Sequence, residues 1–421
     1  MFTSDISSIL LRLSAIILLS VSTTTAFQNI SGRVDPDFAV RTTVDITVKP
    51  SGTDQYRTTI KKSFEYTYVS ERSLEKDKFY IQESPVGTIS DLEAEFNKRG
   101  LSDQRFSFEV GSTDDVFLSG SKRHTITIPV NIAKGDVFTY SYKEEIRDIV
   151  FFPLLYISST DSITSFKTIY HLPDNTSLDL QFFFGGDSIP INIMRDDRTV
   201  TLTAGPLQEK AELPYFAYNG MHAGILTSIR IDSSDVTPAS VGQMVQWYAK
   251  KTSLLPEFDS SDAFTARTLI DTAGTPLARV RSIAEYIRKN IRYIADERGL
   301  NAYIARPPSG TFKKKFGDCK DKAALGVALG RLNNIPIRMA LVSTVPAAEF
   351  ERPHLHLYNH VICAYDINGR TEFFDPTASN VEFGNIPDRL IGARALILDP
   401  KNPRFETIQA IVGEVEQGVA G

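Results

Sequence analysis

The stretch Lys313-Lys-Lys-Phe-Gly-Asp-Cys-Lys-Asp-Lys-Ala323 predicts a cysteine at the start of a helix. An apolar run from Ala323 to Leu332 follows it, and Asp318 and Asp321 have the spacing of a capping box. Cys319 then lies in the first helical turn, where free N–H groups and the helix dipole favour a thiolate. The dipole contributes only about 0.3–1 kcal/mol, which is under about one pKa unit. A reactive thiol therefore needs a histidine from elsewhere in the chain.

A two-residue turn, Asn368-Gly369, places a histidine and a carboxylate together. This dipeptide is a strong hairpin signal, and it joins a predicted strand 358–367 to a return strand 371–374. Counting back from the turn places Asp375 diagonally across from His360, with Cβ atoms about 7–8 Å apart. Cys363 is an odd number of residues from His360, so we expect it to face the other way and to be a poor disulfide partner. The sequence thus predicts a Cys319–His360–Asp375 triad.

In such a triad each member has a defined role. His360 takes the thiol proton and later donates a proton to a leaving amine, while Asp375 fixes the ring tautomer and stabilises the imidazolium. The backbone N–H of Cys319 supplies one oxyanion donor. The expected chemistry is acyl transfer on an amide through a thioester, and it requires no metal and no organic cofactor.

The chain before residue 232 has the pattern of strands. Alternating apolar and polar residues, separated by turn residues, indicate five of them: Val44–Val48, Phe64–Val69, Arg105–Val110, His124–Ile128 and Val137–Tyr142. Only residues 90–99 favour a helix. We therefore expect an antiparallel, all-β sandwich over residues 27–232. It holds no nucleophile–base set, so its expected role is binding or positioning.

The pattern becomes helical at Thr237-Pro238 and again at Thr275-Pro276, because Pro is favoured at the first helical position. The second predicted helix ends near Ile291 and carries an apolar stripe formed by Leu277, Val280, Ile283, Ala284 and Ile287. Helices followed by an antiparallel sheet predict an α+β domain over residues 233–421.

The N-terminus has the features of an export signal. Arg12 precedes an apolar run from Leu13 to Val21, and small residues up to Ala26 offer a cleavage site. Residues 1–26 are therefore predicted to be a signal peptide, and the protein to be periplasmic or extracellular. The run is shorter than the roughly 20 residues that span a bilayer, so no stable membrane insertion is expected. A net charge of −5 gives no electrostatic case for nucleic acid.

Three segments resemble the signature segments of the transglutaminase-like superfamily, whose fold is papain-like: Gly317–Ala323, Tyr358–Ile362 and Phe374–Thr377. The flanking Ile291-Arg-Tyr293 and Arg306-Pro-Pro308 are similar too, and they point to a bacterial branch with an N-terminal β-rich domain of unknown function. The resemblance implies the same three catalytic residues and a protein or peptide substrate. We slightly favour hydrolysis, as in a protease or amidase, over protein cross-linking, because nothing in the chain indicates a dedicated amine site.

Four alternatives accompany this interpretation. The domain could be a non-catalytic module that binds protein or peptide. His354, His356 and His360 would share one face of an extended strand and suggest a zinc site. Five lysines could hold a thiolate or attract an acidic substrate, and a solvated helix face explains them equally well: Lys313, Lys314, Lys315, Lys320 and Lys322. Gly326 and Gly330 are explained by close packing of the cysteine helix on a sheet.

Overall fold

The computed structural model describes residues 36–410, apart from 53–54, 111–112, 115–116, 119–121, 129–130, 158–160, 184–188, 207–223, 254–257, 271–273 and 345–352. The predicted signal peptide lies outside the described residues. Within them, no helix combines the length and the apolar character needed to cross a bilayer.

Strands dominate the chain up to residue 235. In chain order they are β1 (Phe38–Gly52), β2 (Gln55–Tyr68), β3 (Lys78–Gln82), β4 (Gly87–Phe96), β5 (Arg99–Gly100), β6 (Phe106–Val110), β7 (Thr113–Asp114), β8 (Phe117–Leu118), β9 (Lys122–Thr127), β10 (Val137–Ile146), β11 (Leu155–Tyr156), β12 (Ser162–His171), β13 (Thr176–Phe183), β14 (Ile191–Asp196), β15 (Thr199–Ala204), β16 (Gly224–Ile231) and β17 (Ser234–Asp235). Each of the five predicted strands overlaps one of these, so the β-rich character of this region is confirmed.

An eight-stranded sheet forms the main body of this region, in the order β14-β15-β12-β1-β2-β10-β4-β5. Smaller sheets join β11, β16, β13 and β17, and β3, β9 and β6. The expectation of a wholly antiparallel arrangement is wrong, because β1 and β12 pair in parallel, with Ile46 opposite Tyr170. A parallel pair needs a long connection, and here the whole of residues 53–161 separates the two strands.

The helix predicted over residues 90–99 is also wrong, because this segment forms β4, the turn after it and the start of β5. Cross-strand pairing with β10 overrides the helix propensity of its Leu, Ala and Glu residues. The bounding turn is formed by Asn97 and Lys98, whose φ angles of 50° and 63° suit a tight hairpin.

Helices and a second large sheet form the rest of the chain. The helices are α1 (Val241–Ser253), α2 (Ser260–Thr268), α3 (Pro276–Asn290), α4 (Pro308–Lys314) and α5 (Cys319–Leu332). The strands are β18 (Arg292–Tyr293), β19 (Ala295–Asp296), β20 (Phe316–Gly317), β21 (Ile337–Val342), β22 (His360–Ile367), β23 (Arg370–Phe374), β24 (Arg394–Ile397) and β25 (Arg404–Thr407). This α+β composition is the one predicted for the C-terminal region.

The two predicted helix starts have different outcomes. Thr275 caps α3 and accepts a hydrogen bond from Ala278 N at 3.2 Å, as predicted. The helix predicted at Thr237 begins only at Val241, because the Thr237 hydroxyl instead accepts from Ile229 N in the preceding strand. The apolar stripe of α3 is buried except for Leu277, which is 37% exposed.

The helix α5 packs on a five-stranded sheet ordered β23-β22-β21-β24-β25. Two glycines allow this close approach, as expected. A Cβ at Gly330 would lie 2.7 Å from the Ile335 carbonyl oxygen, and one at Gly326 would lie 3.0 Å from Cys363 Sγ. The hairpin of β22 and β23 has the predicted register, with Ile367 opposite Arg370, so this prediction is confirmed.

The β-rich region and the α+β region share contacts and one continuous hydrophobic core. The strand β19 pairs in parallel with β8, and the Phe151 and Tyr303 rings lie 4.8 Å apart. Buried apolar residues from Phe38 to Leu396 belong to the same cluster. The last strand of the β-rich region ends at Asp235 and the first helix begins at Val241, close to the boundary predicted after residue 232; the division into two domains stays a prediction.

Candidate active site

Cys319 is the first residue of α5, and a complete capping box holds it there. The Asp318 carboxylate accepts from Asp321 N at 3.2 Å, and the Asp321 carboxylate accepts from Asp318 N at 3.1 Å. This cap was predicted from the Asp-x-x-Asp spacing and is confirmed. It satisfies two N–H groups of the first turn and places the thiol at the positive end of the helix.

An ion pair between Arg306 and the buried Asp321 reinforces the cap. The Arg306 backbone N–H and Nε donate to Asp321 at 2.7 and 2.9 Å, and the Asp321 side chain is only 1% exposed. The Asp296 backbone N–H donates to Asp318 at 3.3 Å. The segment around Arg306-Pro-Pro308 thus has a structural explanation, because it supplies the cation that a buried aspartate requires.

The hairpin places His360 beside Asp375. His360 Nε2 and Asp375 Oδ2 lie 2.9 Å apart, and both residues are buried. The other carboxylate oxygen of Asp375 accepts from Thr377 N at 2.9 Å and from the Thr377 hydroxyl at 2.7 Å. These contacts fix the carboxylate plane, and they leave His360 Nδ1 as the ring nitrogen available to another partner.

That partner is Cys319, whose side chain is hydrogen-bonded to His360. Burial disfavours the imidazolium, but the charge and hydrogen bond of Asp375, followed by the contact with Cys319, raise the pKa of His360 to about 10. Burial likewise disfavours the Asp375 carboxylate, and His360 and Thr377 outweigh it, so the pKa of Asp375 is lowered to about 2. An imidazolium between a carboxylate and a thiol is the arrangement that activates cysteine nucleophiles.

The structure therefore brings the three predicted residues together in one chain of contacts. Cys319 is partly exposed, whereas His360 and Asp375 are buried. The catalytic roles of these three residues stay a prediction.

Two partners of Asp375 were missed by the sequence reasoning. Thr377 lies within the Phe374–Thr377 segment, and an Asp followed two residues later by Thr is a recognisable turn signal. Arg389 donates to the oxygen that His360 also contacts, at 3.3 Å. It comes from the 3₁₀ turn Asp388–Leu390, and no local pattern connects it with the triad.

Cys363 is fully buried and free, and burial raises its pKa well above the ordinary value. Its Sγ lies 3.7 Å from the Ala323 carbonyl oxygen of α5. The α5 helix therefore packs on the face of β22 that carries Cys363. His360 reaches Cys319 because it is the first residue of the strand and lies at the start of the helix.

The expectation of a solvated lysine face is wrong for two of the five lysines. Lys320 is 5% exposed and Lys322 is 3% exposed. Lys320 is ion-paired with Asp318; burial disfavours its ammonium, but the charges of Asp318, Cys319 and Asp321 outweigh burial and raise its pKa. Lys313, Lys314 and Lys315 are exposed, as a solvated surface predicts.

The premise of the zinc alternative is wrong. His354 caps a 3₁₀ turn, Leu355–Leu357, and His356 lies within it, so neither continues the strand of His360. Their rings stack 5.1 Å apart and contact backbone groups of Phe152 and Phe151 in the β-rich region. Burial lowers the pKa of His354 to about 3. No group of three His, Cys, Asp or Glu side chains suited to a metal is found in the part of the chain that the structure describes.

The family comparison agrees with this geometry. Residues 263–369 match the model of the transglutaminase-like superfamily. The resemblance stated from the motifs is thereby confirmed. The matched segment contains Cys319 and His360 and ends before Asp375. Curated protein sequences give no significant match to the chain.

Solved structures extend the likeness beyond that segment. A protein from Parabacteroides distasonis, provisionally described as a protease, superposes with a TM-score of 0.65 at 13% identity, over 88% of this chain and 71% of its own. A provisionally described cysteine protease from Cytophaga hutchinsonii is 12% identical over 77% of each chain, with a TM-score of 0.18. Only the first superposition is close enough to support a shared fold, and it does so for both regions of this chain.

Proposed function

We propose that the protein is a thiol-dependent acyl-transfer enzyme that acts on amide bonds of proteins or peptides. Cys319 is the nucleophile, His360 the general base and acid, and Asp375 the residue that orients the histidine. The observation that carries this proposal is the contact chain in which His360 touches both the thiol and a buried carboxylate. An accidental cluster does not explain why this carboxylate is also fixed by Thr377 and Arg389.

The proposed reaction has two halves. The Cys319 sulfur attacks the amide carbonyl carbon, the C–N bond breaks, and the leaving amine takes a proton from His360, which gives a thioester. Water then gives a proton to His360 and attacks the thioester carbonyl, and the sulfur leaves as the acid is formed. The Cys319 backbone N–H lies in the first turn of α5, where N–H groups have no intrahelical acceptor, and it stabilises the oxyanion in both halves.

Water is our preferred acceptor over a lysine amine. The provisional description of the Parabacteroides distasonis protein as a protease supports hydrolysis, and the described residues show no dedicated amine site. The alternative function is that of a non-catalytic binding module. Such a module would not need a buried carboxylate, Asp375, in contact with His360.

The remaining features of the proposal concern the whole chain. We infer an exported, periplasmic or extracellular protein with its signal peptide at residues 1–26. Residues 27–232 would form a sandwich-type β domain that binds or positions the substrate, and residues 233–421 the transglutaminase-like domain. The contacts of β8 with β19 and of Phe151 with Tyr303 support a positioning role, because they join the β-rich region to segments that adjoin the cap of α5.

The test is selective chemistry at Cys319. The full chain is treated with iodoacetamide at pH 6, and the labelling of each cysteine is followed by mass spectrometry. Cys319 should react fast, whereas Cys363, which is fully buried with a raised pKa, should stay unlabelled. Peptide and glutamine-amide substrates are then offered, and the mass of the Cys319 thioester identifies the acyl donor.

The acceptor is decided in the same experiment. With a primary amine added, hydrolysis gives the free acid and cross-linking gives the new amide. A Cys319→Ala variant, which removes only the nucleophile, is the matched control and should give neither product. Slow labelling of Cys319, or labelling of Cys363 at an equal rate, would count against the enzyme and favour the binding module.

A further inference from the structure

Lys322 is a buried lysine for which the described residues provide no ion-pair partner. Its residue is 3% exposed, although it belongs to the same helix as the candidate nucleophile. No hydrogen bond or ion pair reaches its ammonium from the described residues. Buried lysines are rare unless they are paired, and Lys320 on the same helix is paired with Asp318. The unpaired ammonium of Lys322 therefore requires another explanation.

The Lys322 side chain lies on the side of α5 that carries Cys319. Lys322 comes three positions after Cys319, so the two lie on neighbouring parts of one helix face, about 4.5 Å apart along the axis. The charge that acts on Lys322 is that of Asp375, the triad carboxylate. The ammonium nitrogen is not one of the fully enclosed, unpartnered polar atoms in the described part of the chain, so it keeps a route to solvent.

The charges around the thiol leave this ammonium in excess. The Asp375 carboxylate is already shared by the His360 imidazolium and the Arg389 guanidinium. A Cys319 thiolate would be balanced by the same imidazolium. Within the contact chain of Cys319, His360 and Asp375, with Arg389 and Lys322 included, two negative groups face three positive ones, and the Asp318–Lys320 ion pair beside it adds no net charge. Burial lowers the pKa of Lys322 to about 8, which Asp375 only partly opposes, so its ammonium persists at neutral pH without being neutralised.

We propose that Lys322 forms an anion subsite that binds a carboxylate of the substrate next to the amide attacked by Cys319. The inference rests on the proposed function and narrows the substrate class to acidic peptides. The fitting substrates carry a free carboxylate, terminal or on a side chain, within about one residue of the scissile bond. A residue spans at most about 3.3–3.6 Å, which is comparable with the distance from Cys319 to Lys322 along the helix.

Two alkylating reagents test this subsite without a known substrate. Iodoacetate and iodoacetamide have the same leaving group and similar size, and they differ in a carboxylate against a neutral amide. The rate of Cys319 alkylation by each is measured at pH 7 by mass spectrometry of the full chain. The ratio of the iodoacetate rate to the iodoacetamide rate should be several-fold higher in the folded protein than in the urea-unfolded chain.

Substitutions then test how much the Lys322 charge contributes to this rate ratio. Lys322→Gln should lower the rate ratio about tenfold, the size of one charge-assisted contact, while the iodoacetamide rate stays within about twofold. Lys322→Arg keeps the cation and should keep the ratio. Lys314→Gln removes an exposed lysine of the same charge and should change nothing.

The outcomes separate this inference from the proposed function. Slow reaction of wild-type Cys319 with both reagents would overturn the proposed function itself. Fast reaction with iodoacetamide, combined with a rate ratio no higher than in the unfolded chain, would overturn only the subsite. An equal fall of both rates in Lys322→Gln would show that the ammonium acts on the thiolate alone, and it too refutes the subsite. If Lys322→Gln does not fold, the wild-type comparison and Lys322→Arg still decide.

Discussion

Replacing Asp375 by Asn changes one atom at the centre of the proposed mechanism. The Asn oxygen can still accept both hydrogen bonds from Thr377, so we expect the fold to persist. Its NH2 group then faces His360 and must donate to Nε2. The ring proton is thereby forced onto Nδ1, towards Cys319, where the histidine can no longer take a proton from the thiol. The imidazolium also loses its counter-ion.

The size of this loss can be bounded from the structure. Raising the pKa of His360 from 6.5 to about 10 corresponds to roughly 5 kcal/mol of added preference for the imidazolium. Lowering the pKa of Asp375 from 3.8 to about 2 corresponds to roughly 2 kcal/mol. Neither figure is the pair interaction alone, because His360 also contacts Cys319 and Asp375 also accepts hydrogen bonds from Thr377. We therefore take the smaller figure as the lower bound on the His360–Asp375 interaction and the larger figure as the upper bound. Cys319 alkylation at pH 6 should fall by roughly 30-fold at least and by roughly 3000-fold at most.

The assay is the rate of iodoacetamide alkylation of Cys319 between pH 5 and 9. The wild-type rate should already be high at pH 6, whereas the Asp375→Asn rate should rise only towards the ordinary thiol pKa of about 8.5. Asp366→Asn is the matched control on the same hairpin. Asp366 is bonded to Arg338 and Thr371 at the far end, so its profile should match wild type. An unchanged Asp375→Asn profile, or a larger effect of Asp366→Asn, would refute the reasoning.

Three further predictions concern stability and are checked by urea unfolding. Arg306→Ala leaves the buried Asp321 carboxylate without its arginine partner and should lower the free energy of unfolding by about 3–5 kcal/mol. Arg123→Ala removes the exposed ion pair with Glu109 and should lower it by under about 1 kcal/mol. Gly330→Ala should destabilise by about 1–3 kcal/mol because its methyl meets a backbone oxygen, and Gly310→Ala, with open space around it, should not. The gap in unfolding free energy between wild type and Asp375→Asn should be largest between pH about 4 and 6.5. It should shrink towards pH 2, where the folded carboxylate is protonated, and towards pH 10, where the folded imidazolium is lost; a gap that does not depend on pH would contradict the ion pair.

Local rules predicted the parts of the site that depend on a few adjacent residues. The capping box at Asp318 is one such rule, because two side chains satisfy two N–H groups within one turn of helix. The Asn368-Gly369 turn is another, since both residues adopt positive φ and the turn alone sets the register of β22 against β23. These two rules, together with the family motifs, are sufficient to predict from the sequence that Cys319, His360 and Asp375 lie together.

The wrong or absent predictions concern segments whose structure depends on contacts with residues far away in the sequence. Residues 90–99 have helix-forming composition, yet pairing with β10, some 45 residues later, makes them a strand. The zinc alternative required His354 on an extended strand, but His354 contacts Phe152 and the stacked ring of His356 and caps a 3₁₀ turn instead. Arg389 reaches Asp375 from a separate turn, and no spacing in the sequence signals that contact.

The lysines show why such misses are informative. A Lys-x-Lys pattern on a helix is normally a solvated face, because lysine loses hydration when it is buried. At the start of α5 this rule fails twice, since segments from elsewhere in the chain enclose the first turn. For Lys320 the structure supplies the compensation, namely the Asp318 carboxylate. For Lys322 the described residues supply none, although its charge remains at neutral pH. A buried charge without a partner in the fold costs stability in the free protein, and a carboxylate brought by the substrate would offset that cost only in the complex.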